Sequence, residues 1–237
     1  MIKELKEWRG KILDLLFPKI CLGCGREGQW VCSECAQKVK LLTTYFCPAC
    51  KKSLPWPGIC LDCRGGHSHL SGLWVLGDYN NQLLQKIIQG LKYDYLTELS
   101  YDLDNLISQY FSSDRQWKSD FLLVSVPLHR RRELQRGYNQ ARLIAQALER
   151  VRGNKIIDGL ICRRRYRRPQ VGLPAQKRRK NVQGIFAVNE SVKNEYSGRE
   201  IVLIDDVYTT GATMQECAKV LKQAGLGNIY GLVVASG

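Results

Sequence analysis

The chain has 237 residues, a hydrophobic content of 44% and a formal net charge of +14. That length holds one α/β domain of ordinary size plus a small appendage, and the apolar content is enough to build a core, so disorder is not the default reading. The charge excess is local: positions 129–182 carry 17 Lys or Arg against 3 acids, leaving 19 of each sign elsewhere. A concentrated excess of this kind points to a polyanionic partner, such as pyrophosphate or nucleic acid.

Ile2, Leu5, Trp8, Ile12, Leu15 and Leu16 recur at helical spacing and predict an amphipathic helix over residues 1–20 that docks on the body of the protein. Charged residues from Lys3 to Lys19 interrupt any apolar stretch there, so no secretory leader is read. No run of about 18 apolar residues predicts a membrane span. The expected location is therefore the reducing cytoplasm.

Eight of the ten cysteines lie before residue 64 and form four CxxC pairs: Cys21 with Cys24, Cys32 with Cys35, Cys47 with Cys50, and Cys60 with Cys63. A two-residue gap lets both thiolates of a pair face one metal from a tight knuckle, and two knuckles complete a tetrahedral site. Residues 21–66 therefore read as a double zinc ribbon. Its two sites are structural, since every coordination position is filled by sulfur and none is left for water or substrate. Sequential pairing is the natural one; cross-braced pairing, first with third and second with fourth, fits the spacing too. Disulfides do not suit a reducing compartment. Cys217, on an apparent helix, reads as a small core residue.

Gly65-Gly66 marks a boundary, and residues 67–237 form the larger domain. Strands are predicted at Leu73–Leu76, Phe121–Val126, Ile156–Ile161, Ile185–Val188, Ile201–Ile204 and Ile229–Ala235. Helices are predicted over 81–91, 97–110, 138–151 and 212–224. Strands alternating with helices give an α/β fold with a parallel sheet.

The sharpest functional signal is IVLIDDVYTTGAT, Ile201 to Thr213. Four apolar residues make a central strand, with Asp205 and Asp206 at its carboxyl end, where open α/β sheets bind ligands. Thr209, Thr210, Gly211, Ala212 and Thr213 then form a tight loop into a helix. Free N–H groups at that helix start suit a phosphate, and the two acids suit sugar hydroxyls. The Gly-Lys-Ser/Thr ending of a nucleotide-binding P-loop is absent.

This stretch closely resembles the phosphoribosyl pyrophosphate (PRPP) motif of type I phosphoribosyltransferases. Taken with the cysteine knuckles, PLHRRRELQRGYNQA (Pro127 to Ala141) and RPQVGLPAQKRRKNVQGIF (Arg168 to Phe186), the chain resembles the ComF family of competence-associated proteins over nearly its whole length. The resemblance implies a type I phosphoribosyltransferase-like domain whose Asp205 and Asp206 bind ribose hydroxyls while Thr209 to Thr213 bind the 5-phosphate. It places pyrophosphate on the Pro127–Gly137 loop, with Arg132 and Arg136 as contacts, and makes Gln170 to Asn181 a mobile flap that delivers Arg178. Magnesium would accompany PRPP. Arg167 and Pro174 stand where similar proteins often have Thr and Ser. The acceptor is not implied.

The resemblance also associates the chain with DNA uptake and its proteins. A rival reading is a non-catalytic single-stranded DNA-binding module that uses the ribbons and a basic arm of Arg163, Arg164, Arg165, Arg167 and Arg168. Only Tyr166 interleaves that arm, whereas stacking platforms normally offer more aromatic surface.

Overall fold

The computed structural model describes residues 18–42, 44–66, 68–112, 114–165 and 180–237. Most of the predicted N-terminal helix, most of the flap, Arg167, Arg168 and Arg178 lie outside the described residues. Among the described residues, no helix is long and apolar enough to cross a membrane.

The ribbon region contributes helix α1 (Ser33–Gln37), the short strands β1 (Tyr45–Phe46) and β2 (Ser53–Leu54), and a 3-10 turn at Leu61–Cys63. Then follow β3 (Leu73–Asp78), α2 (Gln82–Lys92), α3 (Leu99–Phe111) and β4 (Leu122–Ser125). Next come α4 (Arg130–Arg136), α5 (Gln140–Arg152), β5 (Ile161–Arg163), β6 (Phe186–Val188) and α6 (Glu190–Lys193). The chain closes with β7 (Ile201–Tyr208), α7 (Ala212–Gln223) and β8 (Ile229–Ser236).

Among the described residues, six strands form one sheet in the order β2-β1-β3-β8-β7-β4. The four strands β3, β8, β7 and β4 are parallel, with Leu73 opposite Gly231, Leu203 opposite Gly231 on the other side, and Val124 opposite Leu203. Their near-continuous apolar sequence is what a sheet covered on both faces requires. Trp74, Leu76, Val202, Ile204, Leu232 and Val234 point to the face covered by α2, α3 and α5. Leu73, Val75, Ile201, Leu203 and Val233 point to the face covered by α7. The fold is thus a mixed α/β architecture with a mostly parallel central sheet.

Three features depart from the pattern read along the chain. First, the ribbon does not simply precede the sheet but extends it. Strand β1 pairs antiparallel with β3, Tyr45 opposite Trp74, and Asp114 accepts hydrogen bonds from both Tyr45 Oη and Trp74 Nε1 at 2.8 Å. Second, the arginine-rich stretch after β4 is not an open loop but contains α4. RRRELQR is composed of good helix formers, and Gly137 at φ +80° terminates it. Third, β5 and β6 leave the parallel sheet and pair antiparallel with each other, and the chain before β5 touches the sheet through a parallel bridge from Ile156 to Leu123 on β4. The two strands flank the segment between residues 163 and 186, and a chain that returns beside itself pairs antiparallel.

Candidate functional site

The cysteines form two separate clusters in sequential pairing: Cys21, Cys24, Cys32 and Cys35, then Cys47, Cys50, Cys60 and Cys63. Within each, all four Sγ atoms lie within 4.8 Å of one another, with Cys24 and Cys32 sulfurs 3.7 Å apart and Cys50 and Cys60 sulfurs 3.6 Å apart. A tetrahedral zinc with bonds of about 2.3 Å needs edges of about 3.8 Å, so the donor sets fit zinc. The electrostatics agree. Burial works against ionisation of Cys21, yet backbone N–H groups of Cys32, Cys24 and Gly23 bring its pKa down to about 6. Cys35, hydrogen-bonded to Cys32 and partly desolvated, is pushed up to about 12. Four sulfurs this close cannot all ionise without a cation among them.

The clusters dock on different parts of the body. The first knuckle meets α2, where Lys86 Nζ donates to the Leu22 carbonyl at 2.7 Å, and the start of α3, where Glu98 pairs with Lys19 at 2.8 Å. The second cluster lies against the far end of the sheet, at the junction of β7 and α7.

That junction carries the acid pair. Asp205 and Asp206 sit on β7, with the Asp206 N–H donating to Asp205 Oδ1 at 2.9 Å. Burial, and next the neighbouring Asp206 charge, raise the Asp205 pKa to about 7, against the opposing pull of Lys92. Asp206 is 4% exposed; its Oδ1 is 2.8 Å from Lys92 Nζ, and its buried Oδ2 has no hydrogen-bond partner among the described residues. Burial opposes the Lys92 charge, but Asp206 and then Asp205 outweigh it and raise the Lys92 pKa.

After Tyr208 the chain turns through Thr209 and Thr210 to Gly211, which has φ +70° and starts α7. A side chain at 211 would be strained by that φ, and its Cβ would strike the Tyr208 ring. The Thr210 hydroxyl accepts weakly from the Ala212 N–H at 3.4 Å. Ala212 and Thr213 begin a twelve-residue helix, whose first N–H groups have no acceptor within the helix itself.

The arginine helix is held close by. Asn139 is buried; its Nδ2 donates to the Val126 carbonyl at 3.0 Å while its Oδ1 accepts from the Ala141 N–H, fixing the start of α5 to the end of β4. Arg132 and Arg136 are four residues apart on α4 and so share a face. Arg136 donates to the Gln140 side chain and lies 6.0 Å over the Tyr93 ring.

Sequence reasoning misses Lys92, yet the end of α2 ties the site together. The Leu91 carbonyl accepts from Tyr138 Oη at 2.8 Å, Lys92 pairs with Asp206, and Tyr93 underlies Arg136. A lysine in the last turn of an amphipathic helix is ordinary dipole complementation, so local sequence gives no sign of its partner. Of the basic arm, Arg164 and Arg165 are exposed, while Arg163 lies in β5 with its guanidinium 5.9 Å from the Phe186 ring centroid. Cys217 is fully buried on α7, and burial keeps its thiol protonated.

A double zinc ribbon domain model matches residues 12–64. Competence protein F of Haemophilus influenzae is 30% identical over 203 residues, covering 84% of this chain and 87% of its own. Competence protein ComFC of Bacillus subtilis is 27% identical, covering 82% of this chain and 79% of its own. The DNA utilization protein YhgH of Escherichia coli is 30% identical, covering 89% of this chain and 94% of its own. With its two ribbons of four cysteines each, and with similarity running through most of both chains, the protein belongs to the ComF family of competence proteins.

Proposed function

We propose that this chain binds PRPP, or a closely related sugar phosphate, as a phosphoribosyltransferase-like protein serving DNA uptake in the cytoplasm. The observation that carries the reading is Asp206: a buried carboxylate at the carboxyl end of a central strand, one oxygen paired with Lys92 and the other without a hydrogen-bond partner among the described residues. Buried polar atoms are normally satisfied, and a carboxylate oxygen left open at the carboxyl end of a parallel strand, where such sheets bind ligands, calls for a partner. The relatives' names, competence protein and DNA utilization protein, supply the DNA setting.

In this reading Asp205 and Asp206 accept hydrogen bonds from the ribose hydroxyls. The hydroxyls and N–H groups of Thr209, Thr210, Gly211, Ala212 and Thr213 take the 5-phosphate. Arg132 and Arg136 meet the pyrophosphate, joined by Arg178 from outside the described residues. Lys92 pairs with Asp206 in a setting largely withdrawn from water. Magnesium, carried mainly by substrate oxygens, would neutralise pyrophosphate charge.

The chemistry is displacement at the anomeric carbon. The bond to the pyrophosphate oxygen breaks, a bond to the acceptor forms, and the arginines stabilise the departing anion. Glutamine-dependent amide transfer does not fit, because it needs a glutaminase domain with a nucleophilic cysteine, and the cysteines of residues 1–64 are gathered in the two four-sulfur clusters.

Calorimetric titration of zinc-loaded protein with PRPP and Mg²⁺, followed by an assay of released pyrophosphate, tests this. Binding that is lost in Asp205→Asn/Asp206→Asn supports it. Folded wild-type protein that takes up no PRPP refutes it.

A second reading, single-stranded DNA binding, is favoured by one observation. Tyr93, Tyr95 and Tyr101 are all exposed, with Arg136 over Tyr93 and Arg150 4.6 Å over Tyr101. These rings supply aromatic surface that the basic arm lacks in sequence.

A further inference from the structure

The Cys47–Cys50 knuckle of the second cluster and the phosphate loop meet at one carbonyl. Pro48 lies inside the knuckle, between Cys47 and Cys50, and its carbonyl accepts from Tyr208 Oη at 2.7 Å and Gln215 Nε2 at 3.3 Å. We propose that this junction braces the phosphate loop, so that metal loading of the second four-cysteine cluster and binding of a sugar phosphate are energetically coupled. The coupling to ligand rests on the functional reading above; the brace itself does not.

Both donors sit where they control the loop. Tyr208 is the last residue of β7 and is 2% exposed. Its ring is what a side chain at Gly211 would strike, so it forms the floor under the turn. Gln215 lies in the first turns of α7, donating also to Ser68 Oγ at 3.0 Å and accepting from the His69 N–H at 2.8 Å. Residues 208 and 215 thus grip the loop from both ends, and the same carbonyl holds both.

The knuckle's shape depends on its sulfurs. It is closed by two backbone bonds, Lys51 N–H to the Cys47 carbonyl at 2.8 Å and Cys47 N–H to the Lys52 carbonyl at 2.9 Å, with Lys51 at φ +64°. A left-handed lysine costs energy that the surroundings must supply, and gathering four thiolates on one cation does so. Beside the junction lies a cavity of about 470 Å³ bordered by Ala49, His69, Thr210 and Glu216. The hydrogen bonds at Pro48, rather than continuous packing, therefore transmit the knuckle's position to the loop. The first cluster docks on α2 and the start of α3, away from the loop, and serves as an internal control.

Coupling between two sites is reciprocal, so the ligand must tighten the second cluster by the factor by which that cluster tightens the ligand. Three measurements on full-length, zinc-loaded protein read this. Hydrogen exchange over residues 208–216 should accelerate in Cys50→Ser/Cys63→Ser and stay unchanged in Cys24→Ser/Cys35→Ser. Tyr208→Phe, which keeps the ring and both zinc ions, should weaken PRPP·Mg²⁺ binding about five- to tenfold, the worth of one buried hydrogen bond. PRPP·Mg²⁺ should slow chelator extraction of the second zinc and leave the first unaffected.

Unaltered exchange together with unaltered extraction overturns the brace. If Cys50→Ser/Cys63→Ser does not fold, Tyr208→Phe decides by its own exchange over 208–216 and its own PRPP affinity; both at wild-type values overturn the proposal. If wild-type protein takes up no PRPP, the functional reading fails and the exchange comparison alone judges the brace.

Discussion

Lys92 Nζ stands 2.8 Å from Asp206 Oδ1, joining the last turn of α2 to the end of the central strand β7. The Asp206 side chain is 6% exposed and that of Lys92 is 23% exposed, so the pair is largely withdrawn from water. An interaction of this kind adds modest net stability while intact, but removing one partner strands the other charge in a poor solvent.

Lys92→Met should therefore be strongly destabilising, by about 3 kcal/mol. Asp206→Asn added to Lys92→Met should recover much of the loss, because neither charge of the pair then remains. Thermal unfolding of the two variants and the wild type, with Asp206→Asn alone to complete the cycle, checks this. If the double variant is as unstable as the sum of its parts, the two side chains are not coupled.

Asp205 makes a prediction about pH. Its pKa is raised to about 7 by burial and by the adjacent Asp206 charge, whereas an unfolded aspartate titrates near 3.9. Between those values the folded chain holds a proton that the unfolded chain has released. Stability from this group is therefore greatest in acid and falls as pH rises from about 4 to about 7. Asp205→Asn removes the penalty, so the variant should melt a few degrees above wild type at pH 8, by clearly less at pH 5, and close to it at pH 4. Sugar-phosphate affinity of the wild type should rise over the same range, since the ionised carboxylate is the better acceptor for ribose hydroxyls. A melting difference that does not change between pH 5 and 8 would mean that Asp205 is not the titrating group.

The parts of this protein that are legible in sequence are those whose chemistry is local. CxxC spacing announces a metal knuckle because both ligands come from one turn, and Asp205-Asp206 followed by Thr-Thr-Gly-Ala-Thr announces a strand, turn and helix start within a short stretch. What is not legible depends on distant partners. The spacing leaves two pairings of the knuckles open, and only the folded chain brings Cys32 beside Cys24 rather than Cys60 or Cys63. Lys92 looks like an ordinary helix-terminal lysine until β7 puts Asp206 against it. Tyr45 and Phe46 sit among the cysteines as if they belonged to the ribbon alone, yet they extend the sheet beside Trp74. The charge of the run from Arg130 to Arg136 conceals that its residues are also good helix formers.

Exposed tyrosines and exposed arginines separate the two contributions to any binding of single-stranded DNA. Tyr93 and Tyr95 follow α2 directly, at 66% and 61% exposure, and Arg136 lies against Tyr93. Arg164 and Arg165 lie elsewhere, beyond β5, and contribute charge without rings. If a strand crosses both, Tyr93→Ala/Tyr95→Ala should weaken binding of a fluorescent oligothymidylate about tenfold or more, from the loss of base stacking, while leaving the salt dependence unchanged. Arg164→Ala/Arg165→Ala should act on the slope instead: log affinity against log salt should flatten by about 1.4, two single-strand phosphate contacts at about 0.7 each. Anisotropy titrations over a series of salt concentrations measure both quantities on the same samples. Tyrosine variants that bind as tightly as wild type remove the aromatic surface from the interface. A slope that stays the same in the arginine variant removes the arm.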